Sequence, residues 1–577
     1  MPYSIGVVAP RGRPKEPIMK QDMITVAMTG ASGNMGQAVV EEMMKLSYVR
    51  IKLLLLDGKR EHRLARRWVR QYGDRVSYFF GNMKYVDDCR RLVEDVDYVV
   101  NMAAVIPPLA DKRPDLAHEV NVVGVHNLVT AIEALVEQPK LIHISTVAIY
   151  GHRDQQHPWG RVGDPLLPSV YDQYGMGKLI GERYVLDSNV HTWAVLRQTG
   201  ILYEKLLMAN IADGLMFHTC FNVPIEWVTD RDSGVLIKNI IAKDYHHPMD
   251  DFWRRVYNIG GGAAYRTTGY ETFDMGFGMI GGSVEKFMEP NWYATRNFHC
   301  MWFDDSDELE RRFHYRSLSK EGFWDGVRAK NKYFALAKLL PPKAISAMVL
   351  KPLLKDANAP YRWAVEGQEG RVKAAFGSMD AWASIGSDWA DYPVWNRNRI
   401  EGHDYREEID IAYAARCRLS HGYDETKSAD LLDLDDLNGA ADFRGGRCTA
   451  EAFTQGDWYA KVGWRCQDGH TFEASPYTVL KAGHWCPHCI REGRWNFDRL
   501  AKGNPYYAQI WYDTHGRMEN NLYYIDAQGQ CAVRLDTAEE GDYEENRSIR
   551  VQRDGQYGQV CTGIEEEFDH IGYAGAN

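Results

Sequence analysis

A doubly wound α/β fold, one parallel sheet covered by helices on both faces, is predicted for the first half of this 577-residue chain. Three observations predict it. Short apolar runs recur at Ile24 to Met28, Ile51 to Asp57, Val76 to Asn82, Tyr98 to Val105, Lys140 to Thr146 and Trp193 to Gly200. Segments of helical composition separate them, and that alternation implies parallel strands joined by helical crossovers. A glycine-rich turn joins the first run to the first helix, and ligands of such sheets sit at the carboxyl ends of the strands.

The first run ends in TGASGNMG. Gly30 and Gly33 let backbone approach an anion without interference from a Cβ, Gly36 lets the helix pack close on the strand, and the helix N-terminus offers unpaired N–H groups. With Ser32, Asn34 and Met35 these glycines form a candidate pyrophosphate cradle, which makes the predicted sheet Rossmann-type. The second run ends in Asp57, placed to accept hydrogen bonds from an adenosine ribose. A 2′-phosphate would be repelled there, so NAD is expected rather than NADP, although Lys59 and Arg60 soften that exclusion. Asp57 as a plain cap of the next helix is the competing reading.

Tyr174 and Lys178 are four apart in a predicted helix from Asp172 to Asp187, so both side chains lie on one face. A phenol with pKa about 10 is a poor base at neutral pH. A nearby ammonium and an oxidised nicotinamide stabilise the phenolate and lower that value. Thr146, at the end of its strand, can hydrogen-bond a substrate oxygen while Tyr174 moves the proton.

Six segments, TGASGNMG, NMAAV, NVVGVHNL, ISTVAIYG, YGMGK and LRQTGILY, together resemble the extended short-chain dehydrogenase/reductases, which include NAD-dependent epimerases and dehydratases and the 3β-hydroxysteroid dehydrogenases. The resemblance covers roughly residues 23–327. It implies that Thr146 is the catalytic Ser/Thr, that Tyr174 is the acid/base, and that Lys178 also binds the nicotinamide ribose. It places Asn121 near the nicotinamide end and Ala103 and Ala104 beside the cofactor. Asn82, next to Met83, stands where the family has an adenine-contacting Asp. Residues 222–234 and 256–262 look like a substrate lobe returning to the sheet. Arg197-Gln198-Thr199 departs from the nucleotide-sugar branch, which tilts the expected substrate toward a hydrophobic or sterol-like alcohol or ketone.

A hydrophobic content of 45% with 25% charged residues is that of an ordinary globular protein, and the length calls for more than one core. Of the net charge of −11, most sits in residues 535–577, where 11 Asp and Glu face 3 Lys and Arg. That tail reads as a solvated segment. At the other end, Pro10 to Lys15 resembles an AT-hook core, but one basic motif in an acidic chain argues against nucleic acid as a partner. No secretory signal is visible, and no segment reaches the ~18 apolar residues of a membrane span. Tyr333 to Lys355 is apolar with interspersed lysines. It reads as a lid or linker broken at Pro341-Pro342, with a basic amphipathic surface helix as the alternative.

Late in the chain Cys466 and His470 form one pair and Cys486 and Cys489 a second, about fifteen residues on, which suits tetrahedral structural zinc. Residues 463–500 resemble a treble-clef type zinc ribbon. Bound zinc with free thiols elsewhere points to the cytoplasm.

The expected organisation is a basic leader (1–22), a dinucleotide-binding domain with substrate lobe (23–328), a mostly helical linker or lid (329–447), a zinc ribbon (448–505) and an extension with an acidic tail (506–577). The leading functional expectation is NAD-dependent hydride transfer at a secondary alcohol or ketone. A nucleotide-sugar epimerase or dehydratase is the enzyme alternative, and an NAD-sensing adaptor that uses its zinc module is the alternative from another class. The resemblance also implies pairing of two copies through helices flanking the sheet.

Overall fold

The structure is a computed structural model that describes residues 23–204, 206, 213–332, 338–392 and 418–536. The basic leader and nearly all of the acidic tail lie outside the described residues.

Seven strands form one parallel sheet. They are β1 (Ile24–Thr29), β2 (Val49–Leu55), β3 (Val76–Phe80), β4 (Tyr98–Asn101), β5 (Lys140–Thr146), β6 (Trp193–Gln198) and β7 (Arg255–Ile259), in the spatial order β7-β6-β5-β4-β1-β2-β3. Order reverses between β1 and β4, which opens a crevice at the carboxyl edge there. Register fixes the depth of that crevice: Met28 of β1 lies beside Leu53 of β2 and Val100 of β4.

Helices cover both faces, as the apolar composition of the strands requires. On one face α1 (Asn34–Met43), α2 (Lys59–Tyr72) and α6 (Asp230–His246) contribute Val39, Val40, Trp68, Leu236 and Ile240 to the core. On the other, α3 (Val86–Val93), α4 (Gly124–Glu133) and α5 (Gln173–Leu186) contribute Leu92, Leu128, Ile132 and Val185. Two strands are shorter than their apolar runs suggest. β2 stops at Leu55, leaving Asp57 in the turn, and β4 stops at Asn101 because the N–H groups of Met102 and Ala103 turn to the Thr29 hydroxyl, both at 3.2 Å.

A second core joins residues 216–303 of the substrate lobe to Ile345, Leu350, Trp363, Val372 and Trp389 of the expected linker, which therefore packs on the lobe. A third core runs continuously across the expected boundaries at 447 and 505. It takes in α7 (Leu434–Phe443), the hairpin β8 (Val462–Arg465) and β9 (Thr471–Ala474), α8 (Phe497–Gly503), α9 (Pro505–Trp511) and β10 (Asn521–Ile525), together with Met176 of α5. The ribbon is thus part of a larger C-terminal unit, residues 418–536, docked against the dinucleotide domain. Among the described residues no helix is long and apolar enough to cross a membrane.

Candidate active site and metal centre

The turn after β1 is built by steric necessity. Gly30 has φ +67°, and a Cβ on it would lie 2.6 Å from the Ala103 nitrogen; a Cβ on Gly36 would lie 2.2 Å from the Gly30 carbonyl oxygen. Only glycine allows β1, α1 and the loop after β4 to meet so closely. Gly33, the residue before α1, provides no side-chain cap for the first turn of Asn34 and Met35, and a Cβ there would come no nearer than 3.4 Å to its neighbours. The helix end therefore meets an open approach, which fits a diphosphate. The Ser32 carbonyl accepts from Gln37 Nε2 at 3.0 Å and from Arg60 at 2.7 Å.

Asp57 is exposed beyond β2 and pairs with His62 Nε2 at 2.6 Å. With Arg60 bound to the neighbouring turn, this end of the crevice carries both signs of charge. Asn82 holds its own turn by accepting from the Lys84 N–H at 3.1 Å. Met83 is buried beneath Gly124 of α4 and supports that turn from the core side.

Below the loop after β4, the Thr29 hydroxyl donates to Asn101 Oδ1 at 2.6 Å, and the Asn101 amide meets His143 Nδ1 at 3.0 Å. Burial, then Lys178, pushes the His143 imidazole well below its ordinary value, so it stays neutral. Asn121 uses its whole side-chain amide on the loop: Oδ1 accepts from the Val105 N–H and Nδ2 donates to the Val105 carbonyl, both at 2.9 Å. It shapes the wall beside Ala103 and Ala104.

Thr146 ends β5 and caps the following turn through the Ala148 N–H at 3.2 Å. The Tyr174 hydroxyl lies near Thr146, whose side chain favours the phenolate form. Asp172 caps α5 by accepting from the Gly175 N–H at 2.8 Å, which explains why the helix begins where Tyr174 can face Thr146. Lys178 Nζ donates to the Ile144 carbonyl at 2.6 Å, a group left free because β4 ends short of it. The ammonium is therefore anchored on the strand, not on the phenol.

Burial pushes Tyr174 up to about 12, with Thr146 opposing and Asp172 adding to the rise. That is opposite to the depression expected from the sequence, because the positive charge of an oxidised nicotinamide is required for it. Burial pushes Lys178 down to about 8. Around the phenol the structure adds acids that motif reading missed. Asp111 is raised to about 7 by burial and then by Asp172, with Arg371 opposing and Asp213 reinforcing, and Asp172 is raised to about 6 by burial.

The next turn of α5 is also unforeseen. Glu182 and Arg197 form a fully buried pair at 2.6 Å, and Glu182 also accepts from Ser145 at 2.5 Å. His484 Nε2 sits 3.0 Å from the same carboxylate, while Arg197 donates to the Ala482 carbonyl at 2.6 Å and Arg183 to that of Trp485 at 2.9 Å. Burial alone would raise the Glu182 carboxyl, but Arg197 and then His484 hold it far below the usual range. His118 and Glu492 add a further link at 2.5 Å. A charged residue inside the apolar run WAVLRQ was the available signal for such a pair.

The four expected metal ligands converge. Their donor atoms lie within 4.8 Å of one another, with Cys466 Sγ 3.8 Å from Cys489 Sγ and His470 Nδ1 3.4 Å, 3.7 Å and 3.4 Å from the sulfurs of Cys466, Cys486 and Cys489. Tetrahedral zinc with bonds of about 2.3 Å to sulfur and 2.0–2.1 Å to nitrogen separates its ligand atoms by about 3.5–3.8 Å, so the residues fit the ion. Asp468, held by Arg499 at 2.8 Å, stands 3.5 Å from the Cys489 sulfur as an outer support.

Comparison with known proteins covers the region of the first of these two sites. Residues 26–194 match the NAD dependent epimerase/dehydratase family. The matched region holds the glycine turn, Thr146, Tyr174 and Lys178. A dTDP-4-dehydrorhamnose reductase of Mycolicibacterium smegmatis is 38% identical over 110 residues, 19% of this chain and 32% of that protein. An uncharacterized membrane protein of Methanocaldococcus jannaschii is 30% identical over 173 residues, 29% of this chain and 44% of that protein. The chain thus spans between about a third and a half of the length of these relatives. Among solved structures, a dTDP-glucose 4,6-dehydratase of Streptomyces venezuelae with NAD bound has a TM-score of 0.43 at 19% identity, covering 55% of this chain and 100% of that one. A UDP-glucuronic acid 4-epimerase of Bacillus cereus has a TM-score of 0.42 at 20% identity, covering 54% and 99%.

Proposed function

We propose that residues 23–328 form an NAD-dependent oxidoreductase acting at a secondary alcohol or its ketone, and that the C-terminal unit carries one structural zinc. The observation that carries the first part is the convergence of Thr146, Tyr174 and Lys178 at the carboxyl edge of the sheet, beside an uncapped glycine turn. The turn and the first residues of α1 would hold the diphosphate, Asp57 and Asn82 the adenosine end, and Lys178 with the loop at Ala103 and Ala104 the nicotinamide end. When bound, the nicotinamide supplies the hydride acceptor or donor. Tyr174 takes or gives the proton at its phenol oxygen, and Thr146 orients the substrate oxygen through its hydroxyl.

The surroundings of Tyr174 favour a polyhydroxylated, carbohydrate-like substrate over the sterol-like alcohol expected from the sequence. Asp172 stands near the phenol and near Asp111, which Asp213, Lys112 and Arg371 also approach, and such groups pair with hydroxyls at less cost than with hydrocarbon. The similarity to a dTDP-4-dehydrorhamnose reductase points the same way. For the zinc, two thiolate-bearing knuckles with every position filled support a structural role, because no coordination site is left for substrate.

The test follows reduced-cofactor absorbance across sugar and sterol alcohols, with NAD and NADP in parallel. Tyr174→Phe should abolish turnover, by about 10²-fold or more, while NAD still raises the melting temperature of the variant. Turnover by Tyr174→Phe equal to that of the parent protein would remove the proposed chemistry.

A further inference from the structure

The segment 338–355 carries more apolar surface than its own fold uses. Residues 342–353 form a short helical strap with a π-helical turn at Ser346–Leu350. Its inner face is accounted for: Ile345 and Leu350 are buried in the substrate-lobe core, with Leu353 and Leu354 packed against them. Its outer face is apolar as well. Leu339 is 80% exposed, Leu340 49%, Met348 63% and Val349 43%, and these four are neighbours along the strap and its lead-in. Single exposed apolar residues need no explanation, but four within so short a stretch of chain mark a contact surface.

Charge identifies the contact. From Lys338 to Lys355 the sequence has lysines at 338, 343, 351 and 355 and no Asp or Glu. All four lysines are exposed, in a chain whose net charge is −11. Lys351 also pairs with Glu289 at 3.1 Å. Apolar side chains flanked by cations whose long stems can lie along hydrocarbon are the composition of a surface helix on an anionic bilayer. An apolar protein partner would not call for the lysines, and an acidic one would not call for the leucines and methionine.

We infer that the strap 338–355 is a docking surface for an anionic lipid bilayer, with Leu339, Leu340, Met348 and Val349 entering the interfacial layer and Lys338, Lys343 and Lys355 facing the headgroups. The strap leads directly to the rim of the site. Leu353 and Asp356 pack where a Cβ on Gly214 would fall, and the adjacent Asp213 pairs with Lys112 at 2.9 Å, next to Asp111. Docking therefore turns the cleft rim toward the bilayer. This holds independently of which reaction the cleft performs.

The test is co-sedimentation of the full-length, zinc-loaded protein with vesicles of phosphatidylcholine alone and of phosphatidylcholine mixed with phosphatidylglycerol. Binding is expected to the mixed vesicles only, weakening as salt screens the lysines. Each lysine near an anionic surface contributes about fivefold, so the triple variant Lys338→Gln, Lys343→Gln, Lys355→Gln should lose about a hundredfold in partitioning. Leu339→Ser with Met348→Ser should lose binding with an unchanged melting temperature, which separates loss of the surface from loss of the fold. Absence of binding to mixed vesicles would overturn the inference, as would equal binding to both vesicle types that the lysine changes do not alter. A dimer in solution that Leu339→Ser with Met348→Ser dissolves would overturn it too, assigning the face to a second copy of the chain.

Discussion

The two ends of α5 meet different worlds. At its first turns Tyr174 and Lys178 face the open edge of the sheet, and their partners, Thr146 and the Ile144 carbonyl, come from the adjacent strand β5. One turn further, Glu182 and Arg183 are closed over by residues 482–485 of the C-terminal unit, about three hundred positions away in the chain. A helix repeats its faces every 3.6 residues, so sequence reveals which side chains stand together. It does not reveal what arrives to cover them. Here the C-terminal unit supplies a histidine and the Ala482 carbonyl to the buried ion pair behind the site and the Trp485 carbonyl to the neighbouring Arg183, so the two candidate centres form one mechanical object.

The largest expected effect comes from breaking the closed end. Glu182→Ala leaves the fully buried Arg197 guanidinium without its carboxylate, a change that costs about 3–5 kcal/mol; thermal unfolding should show it. A variant as stable as the parent would mean that the pair is not what secures α5.

Removal of metal comes next. Elemental analysis should find about one zinc per chain, and stripping it with a chelator should lower the melting temperature, because the loops that carry His484 and Trp485 lead into the Cys486 knuckle. A metal-free preparation that melts with the parent would show that the docking of residues 482–485 stands without the knuckle.

The smallest effect concerns the open end. Asp111 is raised to about 7 in the folded chain, above its ordinary value of 3.8. A raised carboxyl contributes stability that is fully present below the unfolded value and is lost as pH rises through the folded one. Stability should therefore fall between about pH 4 and pH 7 on account of this group. Asp111→Asn should flatten that fall and be relatively more stable at pH 8 than at pH 5. Parallel pH profiles for variant and parent would show that Asp111 is not confined beside Asp172.

Much of the open end was legible in advance. The glycine turn, the six apolar runs and the Tyr174 to Lys178 spacing are local patterns, and the helix, Gln173–Leu186, fills the expected span from Asp172 to Asp187 but for one residue at each end. The convergence of the four candidate metal ligands was legible for the same reason, since each knuckle is a few residues long. Other features were hidden because they depend on distant chain. Asn121 serves the loop at Val105, Lys178 is anchored on Ile144 rather than on the phenol, and the ribbon shares its core with α7 and with residues beyond 505. Asp172 beside Tyr174 is local, but Asp111 and Asp213, which act with it, come from two other segments, and no short motif contains all three.

By itself the sequence determined which elements form and which residues share a face: periodicity, glycine at the turn that tolerates no Cβ, and paired ligands at knuckle spacing act over a few residues. Only the tertiary structure decided what those faces meet. The ionisation of Tyr174, Lys178, Asp111 and Glu182 follows from burial and from charges brought in by remote segments, and burial is a property of the assembled core.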